Sequence, residues 1–80
     1  MKAIITGATS GIGRALAKQM YAKGYEIGIT GRRNDMLQSL NAELGGKAHL
    51  QTMDITGFDE ARQQLFDMIA AMGGADIIVI

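Results

Sequence analysis

The chain has 80 residues, of which 48% are hydrophobic and 11 are glycine, and it contains no cysteine or proline. Eight basic and eight acidic residues cancel to a net charge of zero, which argues against a nucleic-acid partner because such proteins usually present a basic face. One histidine and no cysteine argue against a zinc site, which needs about four nitrogen or sulfur ligands. A chain this short buries only about 60% of its unfolded surface, so we expect a globular protein of marginal stability.

The apolar runs of the chain are short. At the N-terminus the sequence MKAIITGATSG has one lysine, and its apolar run is interrupted at Gly7 and Ser10, whereas a secretory signal needs a longer apolar region. No run approaches the ~20 apolar residues that a membrane span requires. These features predict a cytoplasmic protein that has no membrane partner.

Short strand-like runs alternate with helical patterns along the chain. The strand-like runs cover residues 2–6, 26–30, 48–53 and 76–80, and a pattern with the i, i+4 spacing of a helix lies in each interval. The order β-α-β-α-β-α-β predicts an α/β fold with a parallel sheet and helical crossovers. It corresponds to the first half of a Rossmann doubly wound parallel sheet, with strand order 3-2-1-4.

Turn and capping residues mark the ends of the predicted helices. Gly24 is expected to end the first helix in the left-handed conformation. Asn34 or Asp35 is expected to cap the second helix. Thr56, followed by Asp59, resembles a capping box at the start of the third, although the usual partner is Glu or Gln.

The last strand-like run has the composition Ile-Ile-Val-Ile, which is typical of a parallel strand buried on both faces. In the doubly wound order the fourth strand lies in the middle of the sheet, so we expect the chain to be the N-terminal half of such a domain. An unpaired apolar edge is a template for association. We therefore expect a homo-oligomer, formed through residues 77–80 or by exchange of elements between copies.

Three glycines, Gly7, Gly11 and Gly13, lie between the first strand and the first helix. A loop in this position can bind phosphate, because backbone N–H groups and the positive end of the helix point at the ligand. We expect Gly7 to permit the turn, Gly11 to let the backbone approach a pyrophosphate, and Gly13 to let the helix pack on the strand. The spacing G-x-x-x-G-x-G is not G-x-G-x-x-G, and no Lys-Ser or Lys-Thr follows as in a Walker loop. A simple tight turn is the alternative.

Residues 6–13, Thr-Gly-Ala-Thr-Ser-Gly-Ile-Gly, resemble the cofactor motif of single-domain short-chain dehydrogenases/reductases, and the resemblance extends over essentially all 80 residues. It implies a dinucleotide cofactor and an oxidoreductase that acts on a small alcohol or carbonyl substrate. It also implies that the loop contacts the cofactor, through Gly7, Thr9, Ser10, Gly11, Ile12 and Gly13.

Two arginines, Arg32 and Arg33, follow the second predicted strand. Enzymes that prefer NAD hold the adenosine ribose with an acidic residue near this strand end, and none lies there. A guanidinium group pairs well with a phosphate, often through two parallel hydrogen bonds. The sequence therefore predicts NADP(H) over NAD(H), with Arg32 the better candidate and Arg33 the second. The alternative is that both arginines are solvated loop charges.

Asp54 and Ile55 follow the third predicted strand. The resemblance implies that the Asp54 carboxylate accepts a hydrogen bond from the adenine 6-amino group and that the Ile55 backbone faces the base. Asp54 as a residue of a helix N-terminal turn is the alternative. Asp76, before the last strand, is interpreted as structural.

In the family that this chain resembles, catalysis depends on a serine and on a tyrosine and a lysine that are four residues apart. Tyr21 and Tyr25 are followed at that spacing by Tyr25 and Ile29, so we identify no catalytic residue in this chain. Two functions stay open. The chain is the cofactor-binding N-terminal part of an NADP(H)-dependent oxidoreductase, inactive by itself, or it is a non-catalytic nucleotide-binding or structural polypeptide stabilised by self-association.

Overall fold

The architecture comes from a computed structural model that describes residues 1–8, 11–54 and 57–79. The elements follow one another as predicted, with small differences in the strand bounds. The predicted strands 2–6 and 48–53 are shorter by one and two residues, the strand predicted at 26–30 is longer by one, and the strand predicted to begin at residue 76 begins at residue 77. In chain order they are β1 (Lys2–Ile5), α1 (Gly11–Ala22), β2 (Glu26–Gly31), α2 (Asn34–Glu43), β3 (His49–Thr52), α3 (Phe58–Met72) and β4 (Ile77–Val79).

The four strands form one parallel sheet in the order β3-β2-β1-β4, which confirms the predicted topology. Ile4 of β1 lies in register with Gly28 of β2 on one side and with Ile78 of β4 on the other. Each connection between consecutive strands contains a helix, because parallel strands need a crossover connection. Within the described residues, β3 and β4 are the two edges of this sheet.

Each face of the sheet is covered by a different set of helices. Along β1 the side chains alternate, because successive residues of a strand point to opposite faces. Ala3 and Ile5 pack with residues of α1 and α2, whereas Ile4 packs with Met68 and Met72 of α3. Both methionines are buried, in agreement with their position on the apolar stripe of α3. None of the helices in the described ranges combines the length and hydropathy needed to cross a membrane.

The helix ends agree only in part with the predicted caps. Gly24, two residues after the last residue of α1, has a φ of +91°, as expected. The expected caps of α2, Asn34 and Asp35, are wrong, because the helix already includes both residues and Arg33 is the N-cap in an extended conformation. Gly57 is the N-cap of α3, and the predicted cap Thr56 lies outside the described residues.

Asp76 joins the beginnings of β1 and β4. Its carboxylate accepts a hydrogen bond of 2.7 Å from the backbone N–H of Lys2, and its own N–H donates to the Lys2 carbonyl at 2.8 Å. The Lys2 ammonium group in turn donates to the Met72 carbonyl at the end of α3, where a cation is favoured by the helix dipole. These contacts agree with the structural interpretation of Asp76.

A three-residue ion-pair network links α1 to α2. Arg14 and Lys18, one turn apart on α1, both contact the Glu43 carboxylate, with a Lys18 Nζ–Glu43 Oε1 distance of 2.9 Å. The hydrogen bond from Lys18 is the main cause that lowers the pKa of Glu43 below its ordinary value, with further lowering by the two positive charges and an opposing effect of desolvation.

Glu43→Gln is expected to reduce the pH dependence of stability. Because the folded-state pKa of Glu43 is lowered, its stabilising contribution is present above the ordinary pKa of 4.5 and is lost as pH falls through the folded-state value. We therefore expect the variant to unfold at lower urea concentration than the wild type at pH 7, with a smaller difference at about pH 3. An equal difference at both pH values in urea denaturation would contradict this expectation.

Candidate functional site

The loop between β1 and α1 is tied to both neighbours of β1. Thr6 donates to the Val79 carbonyl through its backbone N–H and through its hydroxyl, each at 2.9 Å. Ala8 donates its N–H to the Thr30 carbonyl of β2, also at 2.9 Å. Gly7 and Gly11 have φ values of +66° and +55°, in the left-handed region that favours glycine. Three predicted contacts, Thr9, Ser10 and Ile55, lie outside the described residues.

Gly13 lies where α1 packs closely on the backbone of Gly7 and Ala8. A Cβ at position 13 would be 2.6 Å from the Gly7 carbonyl oxygen and 3.2 Å from the Ala8 Cα. Both neighbours are backbone atoms, so only a glycine fits, as expected for the third glycine of the motif. The preceding residue, Ile12, is 87% exposed in the first turn of α1, at the end of the helix where a bound anion is favoured.

A cleft of about 560 Å³ opens between the carboxyl ends of β2 and β3 and the beginning of α3. Open α/β sheets bind their ligands outside the carboxyl ends of the strands, so this position is the expected one for a ligand. The structure brings the predicted residues Arg32 and Asp54 together in this cleft. Its lining consists of Arg32, Thr52, Met53, Asp54, Gly57, Glu60 and Gln64.

The two arginines differ in their surroundings. Arg33 Nη2 lies 3.0 Å from Asp35 Oδ2, and both side chains are about two-thirds exposed. Arg32 is exposed and lines the cleft, whereas Arg33 does not. Among the described residues, Arg32 has no ion-pair partner. This geometry favours Arg32 over Arg33 for a phosphate in the cleft, and cofactor binding by either one stays a prediction.

Backbone pairing holds Asp54 at the end of β3. The N–H of Met53 donates to the Gly31 carbonyl at 2.8 Å, which continues the pairing of β2 and β3 to the last residue before Asp54. The Asp54 carbonyl accepts the Gly57 N–H at 3.1 Å, in the turn that leads into α3. Met53 is buried and forms an apolar part of the cleft lining. The aspartate therefore has a defined backbone position beside the cleft.

Glu60 and Gln64 line the cleft from α3 and were not expected from the sequence. They stand four residues apart, and continuing at this spacing leads to Met68 and Met72, which pack on the sheet. Residues at i and i+4 are neighbours on a helix surface, so this row leads from the buried methionines towards the cleft. The spacing becomes a signal for Gln64 and Glu60 only when the face of α3 that packs on the sheet is known.

The polar groups of the cleft suit a phosphorylated nucleoside. A guanidinium group binds phosphate through charge-assisted hydrogen bonds, whereas carboxylates accept hydrogen bonds from amino or hydroxyl groups and a glutamine amide can donate and accept. Arg32, Asp54, Glu60 and Gln64 supply these groups. Within the described ranges, no three side chains of the kinds that hold a metal ion lie together.

Comparison with known proteins identifies the family. The family model for short chain dehydrogenases matches residues 1–80, so the chain belongs to this family. Serine 3-dehydrogenase from Agrobacterium fabrum (strain C58) is 40% identical over 76 residues, which are 95% of this chain and 30% of that protein. The NADP-dependent 3-hydroxy acid dehydrogenase YdfG from Escherichia coli (strain K12) is 30% identical over 79 residues, which are 99% of this chain and 32% of that protein.

A solved structure supports the same conclusion about the fold. The alcohol dehydrogenase from the archaeon Thermococcus sibiricus, complexed with 5-hydroxy-NADP, superposes with a TM-score of 0.88 at 25% identity and is matched over 96% of this chain and 34% of that one. The resemblance based on residues 6–13 and the predicted fold are therefore confirmed. The chain spans about a third of the length of the curated relatives that it matches, corresponding to their N-terminal part.

Proposed function

We propose that residues 1–80 form the NADP(H)-binding part of a short-chain oxidoreductase that acts on a small alcohol or carbonyl compound. The observation that carries this proposal is the position of Arg32 beside Asp54, in one cleft at the carboxyl ends of the strands. A guanidinium group without an acidic partner among the described residues favours a phosphate there over a hydroxyl group. Two similar proteins support the same cofactor: YdfG is NADP-dependent, and the Thermococcus sibiricus alcohol dehydrogenase is complexed with 5-hydroxy-NADP.

The residues of the chain fit a dinucleotide in a defined order. Gly7, Gly11 and Gly13 let the backbone at the N-terminus of α1 approach the pyrophosphate closely. The N–H groups at this helix end favour its negative charge. The Arg32 guanidinium binds the 2′-phosphate of the adenosine ribose. The Asp54 carboxylate accepts a hydrogen bond from the adenine 6-amino group. A bound nicotinamide cofactor would supply hydride transfer to or from the substrate. The remaining contacts in this proposal are Thr9, Ser10, Ile12 and Ile55, with Arg33 as an auxiliary charge.

The direct test is titration of the 80-residue chain with NADP⁺ and with NAD⁺ by calorimetry. NADP⁺ is expected to bind more tightly than NAD⁺, but weakly, because the chain spans only about a third of the length of its relatives. A submicromolar dissociation constant would contradict the expected weak binding. A preference for NAD⁺ would contradict the assignment of Arg32. No Tyr-x-x-x-Lys occurs in the chain, so we propose that it has no turnover by itself. Dehydrogenase activity of a preparation of verified mass would contradict that statement.

The second candidate function, a non-catalytic polypeptide that self-associates, is favoured by the position of β4. This strand is an edge of the sheet in the described residues, and its Ile78 side chain is 39% exposed. Apolar edge strands promote pairing with another chain, and a lysine in such a strand opposes it. We expect self-association at micromolar concentration and at least about a tenfold weaker dimer for Ile78→Lys. Light scattering that shows a monomeric wild type would rule out this association.

A further inference from the structure

The charge of the candidate cleft differs between its two sides. Arg32 lines it from the connection between β2 and α2, and Glu60 lines it from the first turn of α3. Glu60 is exposed, and within the part of the chain that the structure describes it forms no ion pair. Asp59, its neighbour in the same helical turn, is also exposed but does not line the cleft. The cleft thus combines one cation that attracts phosphate with two carboxylates that repel it, Asp54 and Glu60. Of these two, Glu60 has no role in the proposed binding of the adenine.

We propose that Glu60 is a specificity-determining residue that limits the preference of the cleft for NADP(H) over NAD(H). This inference rests on the proposed binding of NADP(H). A phosphate monoester carries a charge of about −1.5 to −2 at pH 7, and the Glu60 carboxylate repels this charge across the cleft. The corresponding hydroxyl of NAD(H) is neutral, and the pyrophosphate is common to both cofactors. The carboxylate of Glu60 therefore weakens the binding of NADP(H) and has little effect on NAD(H).

Glu60→Gln tests this inference, because glutamine keeps the shape of the side chain and removes its charge. The affinity for NADP⁺ is expected to rise about fivefold at low salt, as loss of one unit charge across a solvated cleft implies, whereas the affinity for NAD⁺ stays within about twofold. Glu60→Lys reverses the charge and is expected to give a larger rise for NADP⁺. Both affinities are measured by calorimetric titration, as for the wild type.

Asp59→Asn is the matched control. It removes the same charge from the same turn of α3 and loses the same favourable interaction with the helix N-terminus, but it leaves the cleft lining intact. We expect the ratio of the NADP⁺ and NAD⁺ affinities to stay at the wild-type value. A rise in this ratio equal to that of Glu60→Gln would overturn the inference, because it would show an effect of net charge and not of position.

The ionic strength provides a second readout. Added salt screens charges over a Debye length of about 10 Å at 0.1 M and about 3 Å at 1 M. The rise in NADP⁺ affinity caused by Glu60→Gln is therefore expected to be smaller at high salt. A wild type that prefers NADP⁺ together with an unchanged ratio in Glu60→Gln would overturn this inference alone. A wild type that prefers NAD⁺, or binds neither dinucleotide, would overturn the proposed function and the role of Glu60 with it.

Discussion

Gly13→Ala is expected to lower the free energy of unfolding by about 2 kcal/mol and to weaken dinucleotide binding. The added Cβ would lie 2.6 Å from the Gly7 carbonyl oxygen, so the backbone of the loop or of α1 must move. Overpacking that displaces backbone costs on the order of 3 kcal/mol. Alanine recovers about 1 kcal/mol through its higher helix propensity, which does not offset that cost. Urea denaturation and titration with NADP⁺ measure the two effects.

Gly28→Ala is the matched control for this substitution. A Cβ at position 28 would also be close to its neighbours, 2.7 Å from Met72 Sδ and 2.9 Å from Met68 Sδ. These atoms belong to flexible side chains, which adapt more easily than backbone does. We expect a change within about 1 kcal/mol. Equal destabilisation by the two substitutions would show that the contact between α1 and the loop is not a special constraint.

Arg32→Ala is expected to abolish most of the preference for NADP(H). A hydrogen bond to a charged group contributes about 1.5–3 kcal/mol, which corresponds to a loss of about 10- to 100-fold in affinity. The loss is expected for NADP⁺ only, because NAD⁺ has no phosphate on its adenosine ribose. Calorimetric titration of the variant with both cofactors gives the two dissociation constants directly.

Arg33→Ala provides the comparison, because it removes the same charge one residue further along. The Arg33 side chain is engaged by Asp35 at 3.0 Å and does not line the cleft. We expect the NADP⁺ affinity of this variant to fall by less than about threefold. If Arg32→Ala keeps the wild-type preference, the phosphate assignment is wrong. If Arg33→Ala loses more than Arg32→Ala, the ranking of the two arginines is reversed.

The fold was predictable because its elements differ in periodicity and glycines separate them. The parallel order 3-2-1-4 follows from alternating strands and helices, and the structure confirms it. The helix caps were less predictable. Arg33 occupies the N-cap position of α2 in an extended conformation and forms no side-chain cap hydrogen bond, although Asn34 and Asp35 are better capping residues. A cap thus depends on how the chain enters the helix as well as on which side chain is available.

The cleft residues that follow strands were predictable from the sequence, whereas those on a helix were less so. Arg32 and Asp54 follow neighbouring parallel strands, so their meeting at one edge of the sheet is a consequence of topology. Glu60 depends on how α3 is rotated about its axis. That rotation is set by the packing of Met68 and Met72 on Ile4, a tertiary contact that residue spacing alone does not specify.

The hydrogen bonds that join the loop between β1 and α1 to the neighbouring strands restrict its motion. Thr6 is bonded to β4 and Ala8 to β2, so the entry to the loop cannot open without breaking contacts on both sides of β1. Local openings of a protein have their own free energies, which approach that of global unfolding when core strands must separate. The amides of Thr6 and Ala8 are therefore expected to exchange with solvent as slowly as those of the central strands. The sheet thus fixes Thr6 and Ala8, at the entry to the loop, in position before any ligand binds.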